Sequence, residues 1–305
     1  MFTKIFLFLW TCLLTLSTQT HAASIRYFMQ PANVAGSITP YGINDKAAYY
    51  VQADDVKLYY EVYGSGKPVF VFHGGLVGSP YELGQCIDAL RKDFQVIVVS
   101  TRGHGRSEIG HKSLTYTQKA QDMLAVMRAI TQKPAAVLGF SDGAYAAYKL
   151  ASLYPEAVER IIAIGAGTLK PGYFPANLQV TDLEHMDQAY VQQMQHIMPE
   201  PARLQEFLSN YMNFWHNLSV EPKLFASIKC PTLLIAGDED DHAPIMTVLE
   251  AHQALPNSRL CIVPKAGHTA FLDNWPVTWA CINSFIHADL LELTSSKKLE
   301  YNNIK

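Results

Sequence analysis

The sequence predicts an α/β protein with a mostly parallel central sheet flanked by helices. From about residue 46, short β-branched and aromatic runs alternate with longer segments of helical periodicity, a pattern typical of βαβ units. An apolar run also passes through a G-x-S-x-G turn at Gly139–Gly143 into a helical pattern. Such a turn is expected where a parallel strand ends and a helix begins.

The first half of the predicted core covers residues 46–167. Two strand-like runs flank Asp54 and Asp55 and predict an opening hairpin, after which strands and helices alternate. Helical spacing of Ala120, Met123 and Met127 predicts a helix that covers the sheet. The predicted strands are Lys46–Val51, Val56–Tyr63, Pro68–Phe72, Gln95–Val99, Ala135–Leu138 and Ile161–Ile164, and the predicted helices are Tyr81–Arg91, Thr115–Ile130 and 143–153.

The pattern changes at residues 168–226, which are rich in Tyr, Met, Gln and Phe and contain no strand-like run. Thr181 and Glu184 form a T-x-x-E pattern that predicts a capping box ahead of a helix to about Met198, and Pro201–Trp215 predicts a second helix. We interpret this segment as a helical lid inserted into the core. The core resumes at residues 227–290, with strands at Thr232–Ala236 and Leu260–Val263 and helices at 244–254 and 271–287.

The two ends of the chain differ from the core. Residues 1–22 contain one lysine, an apolar stretch from Ile5 to Leu16 and a small-residue ending, which predict a signal peptide. No later segment offers about twenty uninterrupted apolar residues. We therefore expect an exported protein, periplasmic or secreted, with no stable membrane anchor after the leader is removed. Residues 23–45 form an N-terminal extension that is hard to place, and residues 291–305 form a polar tail.

Composition narrows the class of partner. The formal net charge is −3, and the sequence has no basic stripe for nucleic acid and no polybasic patch for anionic lipid. A small molecule is the expected partner. No C-x-x-C pair or H-x-H cluster indicates a metal, and no cofactor is expected. Four widely spaced cysteines remain after the leader, and we expect mostly buried thiols: Cys86, Cys230, Cys261 and Cys281.

Ser141 is the predicted nucleophile, because it lies at the centre of the G-x-S-x-G turn. A serine at a sharp strand-to-helix turn has strained backbone geometry, and glycines two residues to either side let neighbouring backbone pass. The turn also places the hydroxyl at a helix N-terminus, whose dipole favours developing negative charge. The sequence therefore predicts a nucleophile elbow.

Together with this elbow, four further motifs resemble the α/β-hydrolase superfamily from about Val56 to His287. Val69–Gly75 is similar to the family's strand and H-G-x turn, and Val98–Ser107 to its R-G-x-G-x-S loop. Pro231–Asp240, with Pro244, resembles the strand and loop that carry the acid, and Ala266–His268 resembles the loop of the catalytic histidine. The resemblance implies an α/β-hydrolase fold and the order Ser, Asp, His for a catalytic triad.

His268 and Asp240 are the candidate base and acid. A serine hydroxyl needs an imidazole to take its proton, and a carboxylate must fix the tautomer of that imidazole. The resemblance assigns these roles to His268 and Asp240 and gives His73 and His104 structural roles. Asp240 lies in an acidic cluster, so the neighbouring Asp238, Glu239 and Asp241 stay open as alternatives.

The oxyanion hole requires two backbone N–H groups. The resemblance implies that Asp142, the residue after the serine, supplies one of them. Gly75 supplies the other, with Leu76 as the alternative. The Asp142 side chain has two interpretations. We favour an acid that interacts favourably with the helix dipole at the N-terminus, and the alternative is a contact for a substrate ammonium group.

The predicted function is hydrolysis of a small ester-like substrate through an acyl-enzyme, by a carboxylesterase-like serine hydrolase of class EC 3.1. Serine at the elbow argues against epoxide hydrolases and haloalkane dehalogenases. Alternatives are an aminopeptidase that resembles proline iminopeptidases, a hydrolase of amino-acid esters, lactones or C–C bonds, and a catalytically idle binding module. Six aromatic residues of the lid have two interpretations: they line an acyl pocket, or they only pack the lid against the core. They are Tyr173, Phe174, Tyr190, Tyr211, Phe214 and Trp215.

Overall fold

A computed structural model describes residues 25–295, which contain one eight-stranded sheet. The strand order is β1-β2-β4-β3-β5-β6-β7-β8. β2 runs antiparallel to β1 and to β4, and the five remaining pairings are parallel. The predicted signal peptide at residues 1–22 lies outside the described residues.

The strands follow the apolar runs of the sequence closely. Parallel strands covered on both faces must be apolar throughout, and every residue of β5 and of β7 is buried. The predicted hairpin and parallel strands are confirmed, with ends shifted by a few residues. The strands are β1 (Ala48–Ala53), β2 (Val56–Tyr63), β3 (Pro68–Phe72), β4 (Gln95–Val99), β5 (Ala135–Phe140), β6 (Val158–Ile164), β7 (Thr232–Gly237) and β8 (Ser258–Val263).

Helices cover both faces of the sheet and enclose two apolar clusters. One cluster lies under α2, α3, α6 and α7, and the other under α1, α8 and α9. No helix within residues 25–295 is both long and apolar enough to cross a membrane. The helices are α1 (Gly84–Leu90), α2 (Tyr116–Ile130), α3 (Asp142–Leu153), α4 (Val180–Ile197), α5 (Leu204–His216), α6 (Pro222–Ser227), α7 (Ile245–Ala254), α8 (Ala270–Asp273), α9 (Trp275–His287) and α10 (Leu290–Ser295), with short 3₁₀ helices at Pro80–Leu83 and Pro201–Arg203.

The segment between β6 and β7 is helical, as the sequence predicts, and contains α4, α5 and α6. The predicted capping box of Thr181 and Glu184 is wrong. Helix α4 begins at Val180, and the backbone N–H of Gln179 donates to the Asp182 carboxylate at 2.8 Å. The capping box is therefore formed two residues earlier in the chain, by Gln179 and Asp182, with the acid at the third helical position.

Two further expectations need correction near the C-terminus. The predicted helix 271–287 is broken at Asn274, and α9 then starts at Trp275 with Pro276 in its first turn, where a missing N–H is tolerated. The four cysteines are not mostly thiols, because Cys261 on β8 and Cys281 on α9 form a disulfide. Cys86 and Cys230 are free.

Candidate active site

Ser141 lies at the carboxyl end of β5, directly before the first residue of α3. Its backbone has φ 50° and ψ −116°, a conformation that a residue with a side chain rarely adopts. The flanking glycines are required, since a Cβ on Gly139 would lie 2.6 Å from the carbonyl oxygen of Gly143. A Cβ on Gly143 would lie 2.4 Å from the carbonyl oxygen of Phe72. This is the geometry of a nucleophile elbow.

His268 contacts Asp240 across the ends of β7 and β8. The Nδ1 atom of His268 lies 3.0 Å from Oδ1 and 2.9 Å from Oδ2 of Asp240. The other acids of the cluster do not make this contact: Asp238 accepts from the N–H of Ala266, and Asp241 pairs with His242. Within the acidic cluster, the geometry thus favours Asp240 as the partner of the imidazole.

The environment of Asp240 keeps its carboxylate ionised. Burial of this side chain would raise its pKa, but hydrogen bonds from His268 and from the N–H groups of Ala243 and His242 outweigh burial and hold the pKa below its ordinary value. An ionised carboxylate at Nδ1 fixes the tautomer in which Nε2 of His268 is free to accept a proton.

Ser141 and His268 line one cavity of about 840 Å³. Gly165 leaves room for the imidazole, because a Cβ there would lie 3.0 Å from the ring. Among residues 25–295, the structure shows no hydrogen bond between the Ser141 hydroxyl and His268. Catalytic hydrogen bonds of this kind often tighten only when substrate binds.

The backbone of Gly75 packs against the start of α3. A Cβ on Gly75 would lie 2.9 Å from the Cβ of Asp142 and 2.5 Å from the Trp215 ring, so only glycine fits. Leu76 follows with φ 59°. The turn after β3 therefore lies beside the helix N-terminus that follows Ser141, which is the placement that an oxyanion hole requires.

The Asp142 side chain is buried and is bound by four donors from two helices. Lys119 of α2 forms an ion pair with the carboxylate. The Tyr116 and Tyr211 hydroxyls donate at 3.0 and 2.9 Å, and the Trp215 indole N–H donates at 3.3 Å. Burial lowers the pKa of Lys119, and the adjacent carboxylate opposes that shift. The carboxylate has its charge and hydrogen bonds satisfied within the protein, which argues against a contact with a substrate ammonium group.

The charged residues that line the cavity are acidic. No lysine or arginine lies on the wall that residues 25–295 provide, which carries Glu82, Asp88, Asp142 and Asp273. Glu82 accepts the backbone N–H of Gly74 at 2.8 Å. Burial raises the pKa of Glu82 to about 8, although the Gly74 N–H stabilises the ionised form. Glu82 is therefore largely uncharged at neutral pH, and the described wall offers an anionic ligand no lysine or arginine to pair with.

The other histidines near the site have different environments. His73 is buried, contacts the carbonyl of Gly74 through Nδ1 at 2.6 Å and accepts from the N–H of Thr101 through Nε2 at 3.1 Å. Burial lowers the pKa of His73 to about 4. His242 stacks on His268 at 4.7 Å between ring centroids.

Asp240, His242 and His268 have ligand atoms within 4.8 Å of one another. A metal ion bound there would compete with the acid–base contact between Asp240 and His268. We therefore assign these three residues to the Asp240–His268 pair and not to a separate metal centre.

The six predicted aromatic residues of the insertion divide into two groups. Phe174 and Trp215 line the cavity. The others pack or hydrogen-bond beside it: Tyr190 donates to the carbonyl of Val77, Tyr173 to the carbonyl of Asp241 and Tyr211 to Asp142, and Phe214 packs on Tyr116.

Sequence reasoning missed three features of the site. Lys119 lies one residue before Ala120 on the sheet-facing side of α2, where a lysine is unusual, and that position was a usable signal. Glu82 gave no signal, because its role depends on the burial of its carboxylate. Residues 27–38 gave none either, although they form part of the cavity wall.

Comparison with known proteins agrees with the observed fold. Residues 67–207 match the model of the alpha/beta hydrolase fold, and residues 210–295 match that of TAP-like proteins. The human serine hydrolase BPHL is 24% identical over 259 residues, which cover 78% of this chain and 85% of that protein.

Two further proteins show the range of the similarity. A 2-hydroxy-6-oxononadienedioate/2-hydroxy-6-oxononatrienedioate hydrolase of Paraburkholderia phymatum is 27% identical over 251 residues, covering 71% of this chain and 86% of that protein. A solved esterase from Exiguobacterium antarcticum superposes with a TM-score of 0.63 at 23% identity, covering 78% and 99% of the two chains. That structural likeness shows the fold.

Proposed function

Because the chain belongs to the alpha/beta hydrolase superfamily, we propose that it hydrolyses a small ester-like substrate through an acyl-enzyme formed on Ser141. One observation carries the proposal. A serine with the strained backbone of a nucleophile elbow shares a cavity with a histidine that is held by a buried aspartate. An idle binding module would have no use for these three groups in one place.

The first half of the reaction acylates the enzyme. The Ser141 oxygen attacks the ester carbonyl carbon while Nε2 of His268 takes the hydroxyl proton. The carbonyl π electrons move to oxygen, and the N–H groups of Asp142 and Gly75 stabilise that negative charge. The intermediate collapses, the C–O bond to the leaving alcohol breaks, and His268 returns the proton to that alcohol.

The second half restores the serine. A water molecule attacks the acyl carbon and gives its proton to His268, which then protonates the Ser141 oxygen as the acyl bond breaks. The acid product leaves. Asp240 remains ionised throughout and stabilises the imidazolium that forms twice in each cycle.

The cavity wall disfavours anionic substrates. A dioate substrate would bring two carboxylates into the cavity, and residues 25–295 supply no lysine or arginine on its wall to pair with them. The wall thus supports a neutral ester over the dioate named for the Paraburkholderia hydrolase. The same wall also favours a second candidate, hydrolysis of an amino-acid ester or an amino-terminal peptide bond, with the exposed carboxylate of Asp273 rather than Asp142 facing the ammonium group.

A fluorophosphonate probe tests the proposed nucleophile. Such a probe reacts with activated serines, so we expect it to label the folded protein at Ser141 and the Ser141→Ala variant to lose both labelling and ester hydrolysis. Ser209→Ala, which changes an exposed serine of α5, is the matched control and should behave as wild type. Labelling that persists in Ser141→Ala, or a folded wild type that does not label, would refute the assignment.

A substrate panel separates the two candidates. Neutral aliphatic esters, amino-acid esters and proline amides would be compared by kcat/KM at pH 7 and pH 9. A preference for neutral esters supports the first candidate. A preference for amine-bearing substrates that Asp273→Asn removes supports the second.

A further inference from the structure

The segment that precedes the sheet lies against the active-site cavity. Residues 27–38, here called the N-terminal strap, supply nine of the residues that line it. The match to the alpha/beta hydrolase fold begins only at residue 67. The strap therefore lies outside the part of the chain that this match covers.

The start of the strap is fixed to α4. Arg26 forms an ion pair with Asp187 at 2.8 Å, and the N–H of Met29 donates to the same carboxylate at 2.7 Å. Gln193 accepts the Arg26 N–H at 3.0 Å and donates to the Arg26 carbonyl at 2.8 Å. Four polar contacts at Arg26 and Met29 thus hold the start of the strap to the helical insertion.

The far end of the strap is fixed to α1. The hydroxyls of Ser37 and Tyr41 both donate to Asp88 at 2.6 Å, and Tyr81 donates to the Ser37 carbonyl at 2.8 Å. Gly36 packs so closely on the Tyr81 ring that a Cβ there would lie 2.7 Å from it. With both ends held, the residues between them cross the cavity in a defined position.

Helix α4 is adapted to the strap. Asp187 has non-helical backbone angles, φ −156° and ψ 77°, so α4 consists of two helical halves. The Asp187 carboxylate also accepts the N–H of Tyr190 at 3.1 Å and so caps the second half. One carboxylate therefore satisfies the broken helix and binds Arg26 and Met29 of the N-terminal segment.

The surface that the strap forms with α4 is apolar and uncovered. Met29, Val34 and Ile38 of the strap and Met186 of α4 are 55%, 42%, 102% and 54% exposed, and all four line the cavity that contains Ser141. Exposed apolar side chains that adjoin one another usually mark a binding surface. Burial of an alkyl chain against this surface would remove apolar area from water, which is favourable.

We propose that the N-terminal strap is the wall of an acyl-chain site, and that it selects esters with medium-length to long apolar acyl groups. The occupant is the acyl chain of the substrate, because the apolar surface is continuous with the cavity in which the acyl-enzyme forms. The inference rests on the proposed ester hydrolysis at Ser141 and names its substrate class.

The test measures chain-length preference with p-nitrophenyl esters. For wild type we expect kcat/KM to be at least tenfold higher for the decanoate than for the acetate. Met29→Asp and Val34→Asp should each lower that ratio by about tenfold, because a carboxylate would then face the alkyl chain. Arg26→Gln, which removes the ion pair to Asp187, should lower the ratio by a smaller factor.

Met246→Asp is the matched control, since Met246 is 67% exposed on α7 and lies outside the cavity wall. It should leave the ratio unchanged, and thermal unfolding should confirm that all variants fold. The inference is overturned if wild type shows no preference for the longer ester, or if the strap variants keep the wild-type ratio. A wild type that hydrolyses neither ester and is not labelled at Ser141 would overturn the proposed function as well.

Discussion

Single residues decide the proposed acid–base chemistry, and Asp240 gives the most direct test. Its carboxylate contacts Nδ1 of His268 and two backbone N–H groups. In Asp240→Asn the amide cannot stabilise the imidazolium and favours the wrong tautomer of His268, so we expect kcat to fall by about 10⁴-fold. Steady-state kinetics on the preferred neutral ester measure this loss.

The neighbouring acids supply the controls for this prediction. Asp238→Asn and Asp241→Asn change exposed carboxylates of the same cluster, and we expect both variants to keep kcat within about threefold of wild type. If one of them loses activity instead of Asp240→Asn, the acid of the triad is that residue.

Glu82 makes stability depend on pH. Burial raises its pKa from an ordinary value of 4.5 to about 8. The folded protein therefore binds this proton more tightly than the unfolded chain does. The resulting contribution to the free energy of unfolding is full below about pH 4.5 and is lost as the pH rises through 8. Glu82→Gln removes this titration. Between pH 6 and pH 9 we expect wild type to lose on the order of 3 kcal/mol more unfolding free energy than the variant.

Urea unfolding at the two pH values measures that difference. Glu239→Gln is the matched control, because it makes the same exchange at an exposed carboxylate and should keep the wild-type pH dependence. Equal losses in wild type and Glu82→Gln would show that Glu82 is not the titrating group.

Secondary-structure elements were predictable where local sequence decides them. β3 and β4 have the predicted ends because a buried parallel strand must be a continuous apolar run between polar residues. The elbow at Ser141 was equally readable, since only glycine fits at Gly139 and Gly143. Both features depend on residues within a few positions of one another.

Features that depend on distant contacts were not predictable. At the break in α4, the Asp187 carboxylate accepts hydrogen bonds from Arg26 and Met29, which lie about 160 residues earlier. The local pattern of α4 therefore indicated an unbroken helix. The role of Asp142 depends in the same way on Lys119 and Tyr211, which α2 and α5 bring to it.

Helix α5 contacts the core in part through Asp142, which forms an ion pair with Lys119. Lys119→Met would leave a buried carboxylate without its cation, and such a loss typically costs 3–5 kcal/mol. We expect the unfolding free energy to fall by about that amount in urea. Tyr211 and Trp215 of α5 also bind Asp142, and Trp215 lines the cavity. The variant should therefore disturb substrate binding and raise KM more than it lowers kcat.

The double variant Lys119→Met/Asp142→Asn tests the cause of this loss. It removes both charges, so it should recover at least half of the stability lost in Lys119→Met. A loss below about 1 kcal/mol in Lys119→Met, or no recovery in the double variant, would contradict a buried ion pair.

At the scale of the whole molecule, helix α9 covers part of one face of the sheet. α9 packs over the apolar cluster that contains Ile282 and Phe285. Arg160 of β6 donates to the carbonyls of Phe285, Ile286 and Ala288 at 2.9–3.1 Å, which satisfies the last carbonyls of the helix. The disulfide between Cys261 and Cys281 attaches the same helix to the edge strand β8.

This disulfide should contribute measurably to the stability of the whole fold. It closes a loop with a sequence separation of 20 residues, for which chain entropy predicts about 3 kcal/mol. Cys261→Ser/Cys281→Ser should therefore lower Tm by about 5–10 °C, measured by calorimetry without reductant. A persistent disulfide requires an oxidising compartment, so its presence also supports the export that we propose from the N-terminal sequence.

Reduction gives an independent measurement of the same contribution. Dithiothreitol should lower the Tm of wild type toward that of the double variant and leave the double variant unchanged, because Cys86 and Cys230 are free. Cys230→Ser is the matched control and should keep the wild-type response to reductant. Peptide mapping of the oxidised protein should yield a linked pair of peptides that contain Cys261 and Cys281. If those peptides are unlinked, or if reductant leaves the Tm of wild type unchanged, the disulfide does not stabilise the protein in solution.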